Sequence, residues 1–148
     1  MILSNFKVFP RIGRLVGIDW GARRTGVAVS DDLHEFVFAR EPIVSRSTDE
    51  LVCAVVDLAV AEHAVGIIIG LPLRMDGTDS ETTARVRAFA GALAGATDIP
   101  IIFIDETLSS TAAQEQMGRV RRTDINEKLD SKAARVILEN AMAMINRG

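Results

Sequence analysis

The chain has 148 residues, of which 48% are hydrophobic and 25% are charged, and its formal net charge is −3 at pH 7. This length and balance suit one globular domain with its own hydrophobic core, and they exclude a chain that is disordered over most of its length. The negative charge excludes a broad basic surface that would bind any nucleic acid, but it allows a local basic patch.

Cysteine content and the lack of long apolar runs bear on the cellular setting. The single cysteine, Cys53, excludes a disulfide framework and a cysteine-based zinc site, and its apolar helical surroundings predict a core position. No stretch approaches the roughly 18 apolar residues of a membrane span. The first 14 residues lack the continuous apolar segment of a signal peptide. We therefore expect a cytoplasmic protein that does not engage membranes.

The first half of the chain predicts a strand meander followed by a helix. Residues 15–19 and 25–30 are apolar runs joined by a short turn, which is typical of an antiparallel hairpin. A third strand is predicted within 35–44, which is rich in Phe and Val. A helix is predicted over 48–64, and its nearly all-apolar stretch 51–61 leaves open whether the protein is a monomer or a homodimer.

The second half predicts strands that alternate with helices. The short run 66–70 (GIIIG) and the run 101–105 (IIFID) indicate buried, parallel strands. The spacing of apolar residues predicts helices near 80–95, 109–117 and 130–146. The order β-β-β-α-β-α-β-α-α predicts an α/β fold, with a mixed sheet, helices on both faces and the first strand at the centre.

Acidic side chains follow two of the predicted parallel strands. Asp19 ends the first strand, and Asp105 and Glu106 end the strand at 101–105. The carboxyl ends of parallel strands meet at one edge of a sheet, where ligands bind. Asp130 opens the last predicted helix, four residues before Ala134 on its apolar stripe, so its carboxylate is predicted to face the sheet. Acidic side chains from the ends of two strands and one helix are therefore expected to lie close together: Asp19, the Asp105–Glu106 pair and Asp130.

Each acid also has a purely structural interpretation. Asp19 can cap the turn that follows it, Glu106 can cap a helix near Ser109, and Asp130 can be the N-cap of its own helix. The joint pattern favours a metal site instead, because clustered carboxylates repel one another unless a cation neutralises them. Oxygen ligands suit Mg²⁺ or Mn²⁺, and two such ions support phosphodiester hydrolysis.

Four segments, in this order and spacing, resemble the YqgF family, also called the RuvX or RuvC-like Holliday junction resolvase family. They are GIDWGARRTGVAVSD (17–31), IIIGLPLRMDGTDSETTARVRAFA (67–90), IDETLSSTAA (104–113) and KLDSKAARVIL (128–138). The resemblance implies one RNase H-like domain over 1–148 with a five-stranded sheet, and residues 1–13 form an extra N-terminal segment. It implies a nuclease that removes the 5′ leader of pre-16S rRNA, with Asp19, Glu106 and Asp130 as its catalytic trio.

The chain departs from the family pattern at a few positions. Thr107 stands where Arg is common, and Arg74 stands where Asn is common. These departures concern details of substrate contact and leave the three acids intact.

Basic side chains lie near each predicted acid. Arg23 and Arg24 follow Asp19 in a turn whose glycines, Gly21 and Gly26, favour a tight backbone path. Guanidinium groups match phosphate geometry, so these arginines are candidates for nucleic-acid binding. The same role is predicted for other cations, with solvated surface as the alternative: Arg74, Arg119, Arg121, Arg122 and Lys128.

Five further side chains have mainly structural interpretations. Trp20 is predicted to pack under the site rather than to stack on a base, and Arg85 and Arg87 are predicted to be solvated. His34 and His63 match no metal-ligand spacing, which favours surface positions.

Three functional classes compete at this point. The first is a metal-dependent nuclease, acting on precursor rRNA or on branched DNA. The second is a nucleotide-binding module, since the acidic turn with later glycines also resembles the phosphate loop of actin-like sugar kinases. The third is a non-catalytic domain of the same fold, against which the presence of all three acids argues.

Overall fold

The computed structural model of the chain describes residues 1–105 and 122–147, with side chains described for residues 1–105 and 131–146. Within those ranges the strands are β1 (Ile2–Leu3), β2 (Arg14–Asp19), β3 (Arg24–Ser30), β4 (Val37–Val44), β5 (Ala64–Leu71) and β6 (Ile101–Asp105). The helices are α1 (Thr48–Ala61), α2 (Glu81–Ala96) and α3 (Arg122–Arg147), and a short 3₁₀ turn covers Phe6–Val8.

The strands form one six-stranded mixed sheet in the order β1-β6-β5-β2-β3-β4. The central strand β2 pairs antiparallel with β3 and parallel with β5, as predicted. Strands β5 and β6 pair in parallel, and β3 and β4 pair antiparallel. The apolar run of β5 is buried along its last six residues because helices cover both of its faces.

Two apolar cores lie on the two faces of the sheet. One contains Ile18, Ile67 and Ile69 of the sheet with side chains of α1 and α2, such as Val55 and Phe89. The other packs side chains of β2, β5 and β6 against the predicted apolar stripe of α3: Ala134, Ile137, Leu138, Ala141 and Ile145. We call these the α1–α2 face and the α3 face.

The sheet has one strand more than predicted, because the N-terminal segment joins it. Ile2 and Leu3 pair in parallel with Ile101 and Ile102 of β6. Phe9 is buried in the α3-face core, and a Cβ on Gly66 would lie 2.5 Å from its ring. The extension therefore covers the edge of β6, where unpaired backbone groups would otherwise be exposed.

Helix α3 begins earlier than predicted. It starts at Arg122, so Asp130 lies inside the helix and is not its N-cap. The predicted helix over 109–117 lies outside the described residues. Cys53, predicted to be buried, is exposed on α1, because the buried positions of that helix are Leu51, Val52, Val55 and Ala59.

Candidate functional site

Asp19 is held at the end of β2 by a tight turn. It is half-buried and pairs across the ladder with Gly26 of β3. The turn needs glycine at position 21, because a Cβ there would lie 2.1 Å from the carbonyl oxygen of Arg24. The hydroxyl of Thr25 accepts from the Gly21 N–H and donates to its carbonyl oxygen, both at 3.4 Å. The predicted tight turn is confirmed, and it fixes the backbone around Asp19.

Asp19 and Asp105 end parallel strands at the same edge of the sheet, as predicted. Strand β5 lies between them, since Ile18 pairs with Ile69 and Leu71 pairs with Asp105. Two strand spacings separate their backbones by about 9–10 Å.

Alternation along the strands places these two acids on opposite faces. Ile18 belongs to the α1–α2 core, so Asp19 lies on the α3 face together with Leu15. Asp105 is in register with Leu71, whose side chain belongs to the α1–α2 core. Asp105 is therefore not placed to act beside Asp19.

Helix α3 comes close to β2 just before Asp19. A Cβ on Gly17 would lie 2.9 Å from Cβ of Leu138 and 3.0 Å from the carbonyl oxygen of Ala134. Glycine at this position allows the close contact between strand and helix. The approach occurs two residues from Asp19 and on the same face.

Ser131 fastens α3 to the sheet at the level of Asp19. The β3–β4 ladder has a register irregularity between Thr25 and Val27, and Val27 lies opposite Arg40. The Ser131 hydroxyl donates to the Arg40 carbonyl oxygen at 2.5 Å and accepts from the Val27 N–H at 3.4 Å. Since Val27 pairs with Ile18, residue 131 lies beside the end of β2. The backbone of Asp130, one residue earlier, is thereby brought to the Asp19 end of the sheet.

The predicted site residues other than Asp19 divide into three groups. Arg23 and Arg24 are exposed beside Asp19, and the Arg23 carbonyl oxygen accepts from the Ser45 N–H at 2.9 Å. Arg74 is exposed in the loop after β5. The remaining predicted site residues, acidic and basic, have no described side chain: Arg122, Lys128 and Asp130 lie in the α3 backbone, whereas Glu106, Arg119 and Arg121 lie outside the described residues.

The loop that carries Arg74 is held by its own hydrogen bonds. The Arg74 N–H donates to the Thr78 carbonyl oxygen at 2.9 Å, and the Gly77 N–H donates to the Arg74 carbonyl oxygen at 2.8 Å. Asp76 accepts from the side chain and backbone of Thr78, and these bonds lower the pKa of the Asp76 carboxyl. Asp76 is therefore a turn residue, and Arg74 is presented from a defined hairpin.

Arg87 clamps the same loop, although the sequence predicts a solvated side chain. Its guanidinium donates to both carboxylate oxygens of Asp79, at 2.8 and 3.1 Å, and lies 5.7 Å from the ring centroid of Phe103. The Arg87 hydrogen bond lowers the pKa of the Asp79 carboxyl. Nothing in the local pattern around Arg87 indicates this partner, which comes from the loop before α2.

No group of three His, Cys, Asp or Glu side chains within the described part of the chain is arranged to hold a metal ion. Asp19 is the one predicted metal ligand whose side chain belongs to that part. Also within the described ranges, no helix is long and apolar enough to cross a membrane.

The chain is similar to known proteins over most of its length. Residues 13–144 match the family model described as RuvX, Holliday junction resolvase. The chain is 37% identical over 132 residues to a Maridesulfovibrio salexigens protein named "Putative pre-16S rRNA nuclease", covering 88% of this chain and 98% of that one. It is 36% identical over 131 residues to an Orientia tsutsugamushi protein of the same name, covering 87% and 83% of the two chains.

Solved structures show the same fold at low sequence identity. Thermus thermophilus RuvC in complex with a Holliday junction substrate aligns with a TM-score of 0.60 at 10% identity, covering 91% of this chain and 96% of that one. The fowlpox virus resolvase in complex with Holliday junction DNA aligns with a TM-score of 0.51 at 13% identity, covering 88% and 97%. The fold is RNase H-like, as predicted.

Proposed function

The chain belongs to the RuvX family, and from this premise we propose that it is a metal-dependent nuclease that processes the 5′ end of pre-16S rRNA. The names of its relatives support the substrate. The observation that carries the chemistry is the anchoring of α3 on the Asp19 face of the sheet, through Gly17 and Ser131. This anchoring brings the chain position of Asp130 next to the end of β2.

We assign the catalytic and metal-binding roles to Asp19, Glu106 and Asp130. Their carboxylates offer only oxygen donors, which fits Mg²⁺ or Mn²⁺ and does not favour zinc. Two ions bound there would supply an activated water and stabilisation of the leaving oxygen during phosphodiester cleavage. Asp19 is half-buried at the end of a central strand, and a site residue carried by a strand is positioned more precisely than one carried by a loop.

The basic side chains would bind the sugar-phosphate backbone. Arg23 and Arg24 lie at the end of the turn that follows Asp19, and Arg74 lies in the hairpin after β5 at the same edge of the sheet. We assign the same role to Arg119, Arg121, Arg122 and Lys128, which precede Asp130 in sequence. Such contacts position a strand without reading its sequence, and they make affinity fall as salt rises.

Branched DNA is the second candidate substrate, and the family description as a Holliday junction resolvase favours it. The two candidates share one site and one reaction, and differ in the nucleic acid that crosses the edge.

The setting of this activity is part of the proposal. We propose that the chain works as one domain, because residues 2–3 extend the common sheet and Phe9 joins a core built by distant elements. We propose a cytoplasmic location, which the names of the relatives as pre-16S rRNA nucleases support. We also propose that no membrane takes part, and that the protein acts as a monomer or a homodimer.

A cleavage assay tests the proposed function. Wild-type protein, Asp19→Asn and Asp57→Asn would be incubated with Mn²⁺ or Mg²⁺ and a precursor 16S leader, with a four-way DNA junction in parallel. Asp57→Asn is a matched control, because Asp57 is exposed on α1. We expect a loss of roughly a thousandfold for Asp19→Asn only, since several kcal/mol of charge stabilisation disappear with a metal ligand. Equal cleavage by wild type and Asp19→Asn, or none by wild type, would refute the nuclease function.

A further inference from the structure

A groove with a volume of about 320 Å³ opens at the same sheet edge, on the α1–α2 face. Its walls are the turn after β2, the segment that leads into α1, and the first turns of α2. Trp20 and Leu51, which line it, pack against the α1–α2 core, and Trp20 thus packs as predicted. The groove therefore lies across the sheet edge from the face that carries Asp19.

The start of α1 offers backbone donors to this groove. Ser47 is the N-cap, and its hydroxyl accepts from the Glu50 N–H at 3.1 Å. The N–H groups of Thr48 and Asp49 have no backbone acceptor among the residues described, as expected for the first turn of a helix. Free N–H groups and the helix dipole together favour an anion at such a terminus.

Ser45 is a second and independent sign of a ligand. Its side chain lines the groove while the residue is only 4% exposed, and its backbone N–H is already bonded to Arg23. Within the part of the chain that the structure describes, the Ser45 hydroxyl donates no hydrogen bond. The small exposed part of this residue faces the groove, so its hydroxyl is available to donate a hydrogen bond to an acceptor that enters the groove.

The charges that line the groove have one sign. Its charged lining residues, within the described ranges, are Arg46 and Arg85. Arg85 has an exposed partner, Glu81, at 3.7 Å, a kind of ion pair that contributes little and exchanges easily with a ligand. The acidic side chains of the first turn of α1, Asp49 and Glu50, are not part of the lining. Guanidinium groups, a hydroxyl and amide N–H groups together form a donor set suited to phosphate oxygens.

We propose that this groove binds a phosphate group of the substrate strand, close to the bond that is cleaved on the other face. The inference rests on the proposed function for the identity of the ligand, because it takes a nucleic-acid strand as the source of the phosphate. The strand then crosses the sheet edge, with the cleaved bond at Asp19 and a neighbouring phosphate between Ser45 and Arg46. The groove holds the strand in register and takes no part in bond breaking.

Binding measurements on single variants test the groove. The affinity for the precursor leader would be measured over a range of salt concentrations, in protein inactivated by Asp19→Asn. Arg46→Gln should weaken binding roughly tenfold and reduce the slope of log affinity against log salt by about 0.7. Arg11→Gln removes the same charge from an exposed site before β2, and it should change neither quantity.

Ser45→Ala separates a ligand role from a structural one. Because the hydroxyl donates no bond within the described part of the chain, we expect Ser45→Ala to weaken strand binding several-fold and to leave the thermal unfolding midpoint unchanged. A lowered midpoint with unchanged affinity would make Ser45 structural and overturn the proposal. Equal affinities for Arg46→Gln and Arg11→Gln would overturn it as well.

A titration of the wild type with inorganic phosphate separates the groove from the nuclease function. NMR shifts of the Thr48 and Asp49 amides that disappear in Arg46→Gln would support phosphate binding, even if no cleavage occurred and the nuclease function failed. Normal cleavage without those shifts would overturn the groove alone. Shifts with inorganic phosphate, but no effect of Arg46→Gln on strand affinity, would refute the strand as the source of the phosphate.

Discussion

The two faces of the sheet reach the same edge with different chemistry. On the α3 face, Asp19 ends β2 next to a helix that approaches through Gly17 and is fastened by Ser131. On the α1–α2 face, Asp105 ends β6, and a groove beside the turn after β2 is lined by Arg46 and Arg85. The difference teaches that acids at one edge do not automatically share a site, because the face on which each side chain emerges decides its neighbours.

The largest structural effect is expected where α3 contacts β2. Gly17→Ala places a Cβ 2.9 Å from Leu138 and 3.0 Å from the Ala134 carbonyl oxygen, so strand and helix must separate. We expect the free energy of unfolding to fall by about 1–3 kcal/mol. Urea unfolding would measure it, together with cleavage by the folded protein, which should also fall as α3 shifts from Asp19.

Gly91→Ala is the matched control on the other face. Nothing lies within 4 Å of a Cβ at Gly91 of α2, so the change should be neutral or stabilise the helix by up to about 1 kcal/mol. If both substitutions had the same effect, close contact at Gly17 would not be what positions α3.

An effect of intermediate size on the free energy of unfolding is expected for one of two buried serines, Ser131 and Ser45. Ser131 bridges two backbone groups of the β3–β4 ladder, so Ser131→Ala leaves the Val27 N–H and the Arg40 carbonyl without that partner. We expect a loss of about 0.5–1.5 kcal/mol in unfolding free energy. Ser45→Ala, at an equally buried serine that donates no bond within the described ranges, should cost almost nothing. Equal losses would contradict the different roles of the two hydroxyls.

The smallest effect is expected at the Arg74 loop, and it depends on pH. The hydrogen bond from Arg87 lowers the pKa of the Asp79 carboxyl below its ordinary value of 3.8. Because the pKa of this carboxyl is lower in the folded than in the unfolded chain, its ionisation stabilises the folded loop at pH values above the unfolded-state pKa. This stabilisation is lost as the pH falls through the folded-state pKa. Arg87→Gln should return the Asp79 titration, followed by NMR, towards the ordinary value. An unchanged Asp79 titration in Arg87→Gln would show that the clamp is absent in solution.

Much of the sheet was predictable because its central strands are uniformly apolar. Residues 66–70 and 101–105 lack the alternating polar residues of a strand with one solvent-exposed face, because helices cover both sides of the sheet. Short apolar runs of this kind indicate buried strands. The position of Asp19 at a strand end follows from the same reasoning. The extra strand β1 was not predictable, because two residues show no periodicity and their pairing depends on β6.

Hydrogen bonds between a side chain and a partner outside its own element were not predictable for a related reason. His34, predicted at the surface, is buried, and its ring Nε2 donates to the Gly13 carbonyl oxygen at 2.8 Å. Ser131 bonds to Arg40, 91 positions away, and Arg87 bonds to Asp79 around the start of α2. A local pattern carries no information about such partners. Chain topology, by contrast, predicts that Asp19, the Asp105–Glu106 pair and Asp130 lie at one edge of the sheet.

Cleavage by Asp105→Asn, compared directly with Asp19→Asn, tests the central claim that the site lies on the α3 face. Both acids end parallel strands at one edge, and the two substitutions remove the same charge. Single-turnover rates with saturating Mn²⁺ and the precursor leader should fall roughly a thousandfold for Asp19→Asn and by no more than a few-fold for Asp105→Asn. A comparable loss in Asp105→Asn, or an active Asp19→Asn, would contradict the assignment of the site to that face.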